Sequence, residues 1–175
     1  SKFWAVIIGI DDYKTSPLRG CVSDAEMVVK YLSEDLRVPG DHIQLLLIEL
    51  TDEGISKPTR AKIVNALLRL STNPDIQHGD NMVVYFAGHG TKYDCDGYSQ
   101  YKGPAALGTI EALCPIDRGS QDTTSTKASD AKDDESSVTG DAHAVPDISD
   151  REINTILTEI ARNKGNRITF IVDCC

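Results

Sequence analysis

Phe3-Trp4-Ala5-Val6-Ile7-Ile8-Gly9-Ile10 is the stretch on which the fold turns. No polar residue interrupts it. A strand with one wet face would alternate, so this run reads as buried on both faces, the mark of a central strand in a parallel sheet. The apolar runs at 81–87 and 168–172 read the same way, and 42–48 supplies a further strand. Helical periodicity falls between them. After a loop at 11–20 punctuated by Pro17 and Gly20, Ser23 or Asp24 caps a helix to about Leu36, with Ala25, Val28, Val29 and Leu32 inward. Pro58 and Thr59 open a second helix carrying Ile63, Ala66, Leu67 and Leu70. Ser149 and Glu152 fit a capping box for a third, with Ile153, Ile156, Leu157 and Ile160 inward and Gly165 as its stop. Strand and helix alternate, which predicts a layered α/β fold with a mainly parallel central sheet flanked by helices. A short strand is expected at 111–115, and the Gly-, Tyr- and Asp-rich stretch 88–104 reads as an active-site loop.

At 175 residues the chain is read as one domain, 40% hydrophobic and 26% charged, an ordinary globular balance. Its net charge of −9 and pI of about 4.8 disfavour a nucleic-acid partner, which would want a basic face. No apolar run is long enough to cross a bilayer, so no membrane partner is expected. The five Cys have no zinc-ligand spacing, and reduced thiols in the cytoplasm or nucleus are the simplest reading. Ser1-Lys2-Phe3-Trp4 lacks both Met and a secretory profile, as a processed or trimmed start would. The segment 118–146 is rich in Ser, Thr, Asp and Lys with almost no large apolar residue, and is expected to be a mobile polar insertion.

Two strands end in reactive side chains. His89 follows Tyr85-Phe86-Ala87-Gly88, and Cys175 follows Phe170-Ile171-Val172-Asp173-Cys174. Sites in parallel sheets form at the carboxyl ends of the strands, where an imidazole can stabilise a thiolate and later protonate a leaving amine. A strand-ending Cys reads equally well as a small buried apolar residue. Cys174 should face away from Cys175 and reads as core. Gly90 and Cys175 backbone N–H groups are candidates for an oxyanion hole, although Gly88 and Gly90 would also serve a tight turn.

Four segments, in order, resemble the large-subunit half of a caspase-fold cysteine peptidase (clan CD, family C14), closest to the fungal metacaspase form. They are Ala5-Val6-Ile7-Ile8-Gly9-Ile10, Leu18-Arg19-Gly20-Cys21-Val22-Ser23-Asp24-Ala25, Phe86-Ala87-Gly88-His89-Gly90 and Ile171-Val172-Asp173-Cys174-Cys175. The resemblance covers essentially the whole chain apart from 118–146. It implies a three-layer caspase-like fold over 1–175, with Cys175 as nucleophile and His89 as its catalytic partner. It places Asp24 and Asp173 in a pocket for a substrate Arg or Lys; read alone, they are a helix cap and a loop-orienting residue. It implies a zymogen that cleaves protein or peptide substrates after Arg or Lys. The polar segment 118–146 is a candidate for regulatory cleavage, as flexible loops are preferred nicking sites, and Lys127 or Lys132 within it would suit a basic-specific enzyme cutting itself.

Departures from the family pattern shape the remaining expectations. No cofactor is required by the sequence. Calcium is a candidate activator, with Asp117 and Asp150 as its ligands, but Arg151 stands where the family commonly has a second Asp. The small-subunit portion of the same precursor is absent after Cys175 and is an expected partner; without it a sheet edge would be exposed, and this polypeptide alone should aggregate or be inactive. The ranked alternatives are a caspase-fold binding module without activity and a peptidase cleaving after Asp, for which Arg19 would be the anchor. A nucleotide-binding domain is disfavoured because Gly9-Ile10-Asp11-Asp12 puts carboxylates where phosphates would sit.

Overall fold

The computed structural model describes residues 2–51, 54–94, 109–120 and 144–174, without the side chains of 49–51, 54–56 and 94. In chain order the elements are β1 (Phe3–Gly9), α1 (Cys21–Lys30), β2 (Ile43–Leu46), β3 (Glu49–Thr51), β4 (Gly54–Ser56), α2 (Arg60–Thr72), β5 (Asn81–Ala87), β6 (Gly90–Asp94), β7 (Thr109–Leu113), β8 (Ile148–Ser149), α3 (Asp150–Lys164) and β9 (Ile168–Asp173). The central sheet has the order β2-β1-β5-β9, and every pairing in it is parallel. β3 and β4 form an antiparallel hairpin, and β6-β7-β8 form a separate antiparallel sheet.

Burial shows why β1 carries no polar residue. Ala5, Val6, Ile7 and Ile8 are each at most 3% exposed, so consecutive residues are covered from opposite sides. Val6, Ile8, Val84 and Phe86 pack with Ile63 and Leu67 of α2 and Ile156 and Ile160 of α3. Ala5, Ile7, Tyr85 and Ala87 pack with Ala25 of α1 and with Leu32. Three layers result, with the sheet in the middle, as the sequence predicts. β9 corrects the expectation of a strand buried on both faces at 168–172: it ends the described sheet on the far side from β2, and its Ile171 and Val172 are 42% and 45% exposed.

The helix ends refine the expectations. Thr59 Oγ1 caps α2 by accepting from Lys62 N at 3.4 Å, and Ser149 Oγ caps α3 by accepting from Glu152 N at 3.2 Å. The Glu152 carboxylate is engaged by the Arg60 guanidinium at 2.6 and 2.7 Å. Gly165, at φ 93°, follows α3 as expected. α1 is a correction: it starts at Cys21 behind Gly20 at φ 112°, so neither Ser23 nor Asp24 caps it. Asp11 does so from the far side of the loop, accepting from Cys21 N at 2.9 Å and from Gly20 N and Val22 N at 3.4 Å. Beyond Lys30 the helix widens into a π turn at Tyr31–Asp35.

Two further corrections concern strands. His42 closes a 3₁₀ turn (Gly40–His42) and stacks on Trp4 with ring centroids 3.7 Å apart, so β2 starts one residue later than expected. Gly90–Asp94, inside the expected loop, is strand β6 paired with β7, while 95–104 lies outside the described residues. The borders of 118–146 are ordered. Gly119 N bonds Val145 O at 2.9 Å and Val145 N bonds Ser120 O at 2.8 Å, closing a stem; 121–143 lies outside the described residues.

Candidate active site

Three strands of the central sheet end together. Gly9 pairs with Ala87 and Ala87 with Asp173, so β1, β5 and β9 release their chains side by side. Gly88 N, donating to Asp173 O at 3.4 Å, continues the β5–β9 pairing to the doorstep of His89. A Cβ on Gly88 would lie 2.6 Å from Tyr13 Oη, so only Gly allows this close approach.

His89 is held at three points. Its backbone N–H donates to Tyr13 Oη at 3.0 Å. Its ring lies against the Tyr13 ring, with centroids 4.6 Å apart and planes inclined by 52°. Its Nε2 is 2.6 Å from the Ser16 carbonyl oxygen. A carbonyl can only accept, so that contact puts the proton on Nε2 and leaves Nδ1 as the basic nitrogen. Ser16 sits at φ 58°, the left-handed region that turns its carbonyl toward the ring. Tyr13 is buried and donates in turn to Cys114 O at 2.9 Å. Burial pushes its hydroxyl well above the ordinary range, so it remains a donor throughout the working pH range.

Gly90 heads β6 opposite Leu113. The bond from Cys114 N to His89 O, at 3.0 Å, flanks that pair. In an antiparallel ladder this makes Gly90 and Leu113 a non-hydrogen-bonded pair, so the Gly90 N–H points away from β7.

Asp24 and Asp173 act on the same groups. Tyr85 Oη donates to Asp173 Oδ2 at 3.0 Å. Burial, that bond and the charges of Asp173 and Asp24 push the Tyr85 hydroxyl up to about 12. The Cys21 thiol is pushed up to about 11 by burial, then by Asp11, Asp173 and Asp24. Two carboxylates from different elements thus bear electrostatically on one patch around Tyr85 and Cys21. With Asp11 supplying the cap of α1, the Asp24 carboxylate is not needed for that cap.

Cys175 lies outside the described residues. Cys174, immediately before it, is half-buried and packs against the main core, in keeping with the core reading. Asp117 and Asp150 are occupied by backbone: Asp117 Oδ1 accepts from Arg60 N and Asp150 Oδ1 from Arg151 N, each at 2.8 Å. Among the described residues no three His, Cys, Asp or Glu side chains gather as a metal would require. Each of the bonds to Asp117 and Asp150 engages one carboxylate oxygen.

Sequence reasoning missed Asp11, Tyr13 and Ser16. Asp11 and Tyr13 stand in a loop whose partners are distant in sequence, and Ser16 contributes only a carbonyl, which any residue carries. The close spacing of Asp11 and Tyr13 to the end of β1 was the available signal.

A buried three-layer sheet with an oriented imidazole and an acidic patch at its carboxyl edge defines an α/β protein of the caspase-like class. The family model for the caspase domain (peptidase C14) matches residues 2–175, and the chain belongs to that family. Metacaspase-4 of Arabidopsis thaliana is 39% identical over 89 residues, covering 50% of this chain and 20% of the relative. Metacaspase-3 of the same plant is 32% identical over 114 residues, covering 65% and 29%. Metacaspase-1 of Saccharomyces cerevisiae is 33% identical over 95 residues, covering 53% and 21%. The chain thus spans between a fifth and three-tenths of the length of these relatives. In fold it is similar to protein GSU0716 from Geobacter sulfurreducens, with a TM-score of 0.62 and 18% identity over 100% of this chain and 51% of that one. Among the described residues no helix is long and apolar enough to cross a membrane.

Proposed function

We propose that the protein is a cysteine endopeptidase that cuts after Arg or Lys. The observation that carries this is the side-by-side ending of β5 and β9, with the His89 ring locked by the Ser16 carbonyl. Cys175 directly follows Cys174 in the sequence. His89 Nδ1 takes the thiol proton and the thiolate sulfur attacks the carbonyl carbon. The C–N bond breaks as the imidazolium returns that proton to the departing amine, and water then hydrolyses the thioester. Backbone N–H groups of Gly90 and Cys175 hold the developing oxyanion; the outward direction of the Gly90 N–H supports its share. The shared acidic patch of Asp24 and Asp173 supports a basic side chain before the cut bond.

Four associated proposals rest on the same reading. The exposed edge of β9 is completed by the small-subunit portion of the same precursor. Self-processing falls in 118–146, at Lys127 or Lys132. Calcium enters only as a candidate activator, and a thiolate nucleophile suits the reducing cytoplasm or nucleus. The test is turnover of fluorogenic peptides ending in Arg, Lys or Asp by the full-length protein, with and without calcium. Release after Arg and Lys that disappears in Cys175→Ala is expected. Release only after Asp would overturn the roles of Asp24 and Asp173, and none from a folded protein would favour the binding module.

A further inference from the structure

A cleft opens beside the His89 ring, and neither Asp24 nor Asp173 lines it. It has a volume of about 710 Å³ and is lined by Lys14, Ser16, His89, Gly90, Tyr93 and Arg118, among others. We propose that this cleft seats the chain on the leaving side of the cut bond and selects a carboxylate-bearing side chain directly after it. The inference rests on the peptidase reading above.

The direction follows from the chemistry. The imidazole protonates the departing amine, so that amine and the residue it belongs to must lie on the imidazole side of the scissile bond. The cleft shares both His89 and Gly90 with the reaction centre, and nothing of the Asp24–Asp173 patch lines it. A peptide with its basic residue in that patch and its carbonyl at the Gly90 N–H continues past His89 into this space.

The charge preference follows from exposure. Arg118 and Asp147 form an ion pair at 2.8 Å, but their side chains are 41% and 3% exposed. The carboxylate therefore stands behind the guanidinium, and an incoming group meets the cation. Tyr93 Oη also donates to Asp147 Oδ2, holding the carboxylate from another side. The remaining oxygen, Oδ1, is buried without a hydrogen-bond partner. Asp147 also acts on Cys114, whose thiol is held up at about 11 by burial and then by this charge. Lys14, exposed and also lining the cleft, adds a second positive charge. In a chain of net charge −9 a cleft faced by two cations stands out, and it is complementary to an acidic side chain. Within the protein's own sequence this ranks Lys132, followed by Asp133-Asp134-Glu135, ahead of Lys127, followed by Ala128-Ser129, as a site of self-processing.

The experiment uses the full-length protein and donor–quencher peptides that are identical but for the residue after Arg, which is Asp, Ala or Lys. The expected kcat/KM order is Asp over Ala over Lys, with about three- to fivefold between neighbours, the scale of a part-exposed ion pair. The preference should shrink as salt rises. Lys14→Gln and Arg118→Gln should each lower the Asp-to-Ala ratio, and Arg118→Lys should restore part of it. Lys14 is exposed, so its variant tests the charge even where Arg118→Gln disturbs folding by leaving Asp147 unpaired. Equal kcat/KM for the three peptides, or ratios unmoved by Lys14→Gln in the folded protein, overturns the inference and leaves the peptidase reading standing. No cleavage of any peptide overturns both.

Discussion

Tyr13→Phe should lower kcat while leaving KM for Arg peptides little changed. The hydroxyl receives the His89 N–H and donates to Cys114 O, while the ring that lies against the imidazole would remain. Losing the hydroxyl takes a partner from the part-buried His89 N–H and from the buried Cys114 carbonyl, a cost of about 1–3 kcal/mol in stability. The kinetic effect belongs to the imbalance of an imidazole no longer fixed from behind, and steady-state kinetics alongside thermal melts separate the two. Asp24→Asn and Asp173→Asn act on binding: each should reduce kcat/KM for Arg peptides about tenfold or more, the worth of a charge-assisted hydrogen bond. Neither should create cleavage after Asp. Of these residues the strand-ending run marked His89, while Asp24 and Asp173 were singled out only by the resemblance to the family's motifs. The sequence could not mark Ser16, which acts through a carbonyl, and it assigned the cap of α1 locally when Asp11 supplies it across a loop.

The elements that were legible are those with one dominant signal. β1 and β5 are runs of mostly buried apolar residues, and α2 and α3 combine a capping side chain with a regular inward face. β9 is an apolar run as well, but it stands at the edge of the described sheet and no residue of it is buried. β6 was not legible, because Gly90-Thr91-Lys92-Tyr93-Asp94 has no apolar run and owes its form to pairing with β7. The insertion at 118–146 was read as uniform, yet its borders are tied by the Gly119–Val145–Ser120 bonds and by the Arg118–Asp147 ion pair. Those ties close the stem through described residues alone. Replacing 121–143 with a short Gly-Ser linker should therefore leave the melting temperature unchanged or slightly raised, since loop-closure entropy changes slowly with length. A fall of more than about 8 °C, the scale of 1–2 kcal/mol in a domain of this size, would show that the segment contributes packing of its own.

Over the whole molecule, strand order was beyond reach of the sequence, since parallel runs of similar apolarity do not announce their neighbours. What fixes the opposite end of the sheet is Asp80, which is 5% exposed and accepts from Lys2 N at 2.8 Å, Gln77 N at 3.1 Å and Trp4 Nε1 at 3.2 Å. Burial alone would raise its pKa, but these hydrogen bonds outweigh burial and hold the carboxyl below its usual value. A depressed folded pKa means that the ionised form stabilises the fold, fully above the unfolded value of about 3.9 and progressively less as pH falls through the folded one. Urea melts should therefore show stability falling as pH drops below about 4, with a smaller fall in Asp80→Asn. An equal fall in both would assign the acid loss to other carboxylates.

The most direct measurement of the central claim is covalent. The full-length protein is treated with a peptidyl ketone alkylating agent ending in Arg, and the modified residue is located by peptide mass spectrometry. The account predicts one label, on Cys175, strongly reduced in His89→Ala and in Asp24→Asn, with no labelling by the matching reagent ending in Asp. A label on Cys21, Cys114 or Cys174 in place of Cys175, or labelling by the Asp reagent alone, would contradict it.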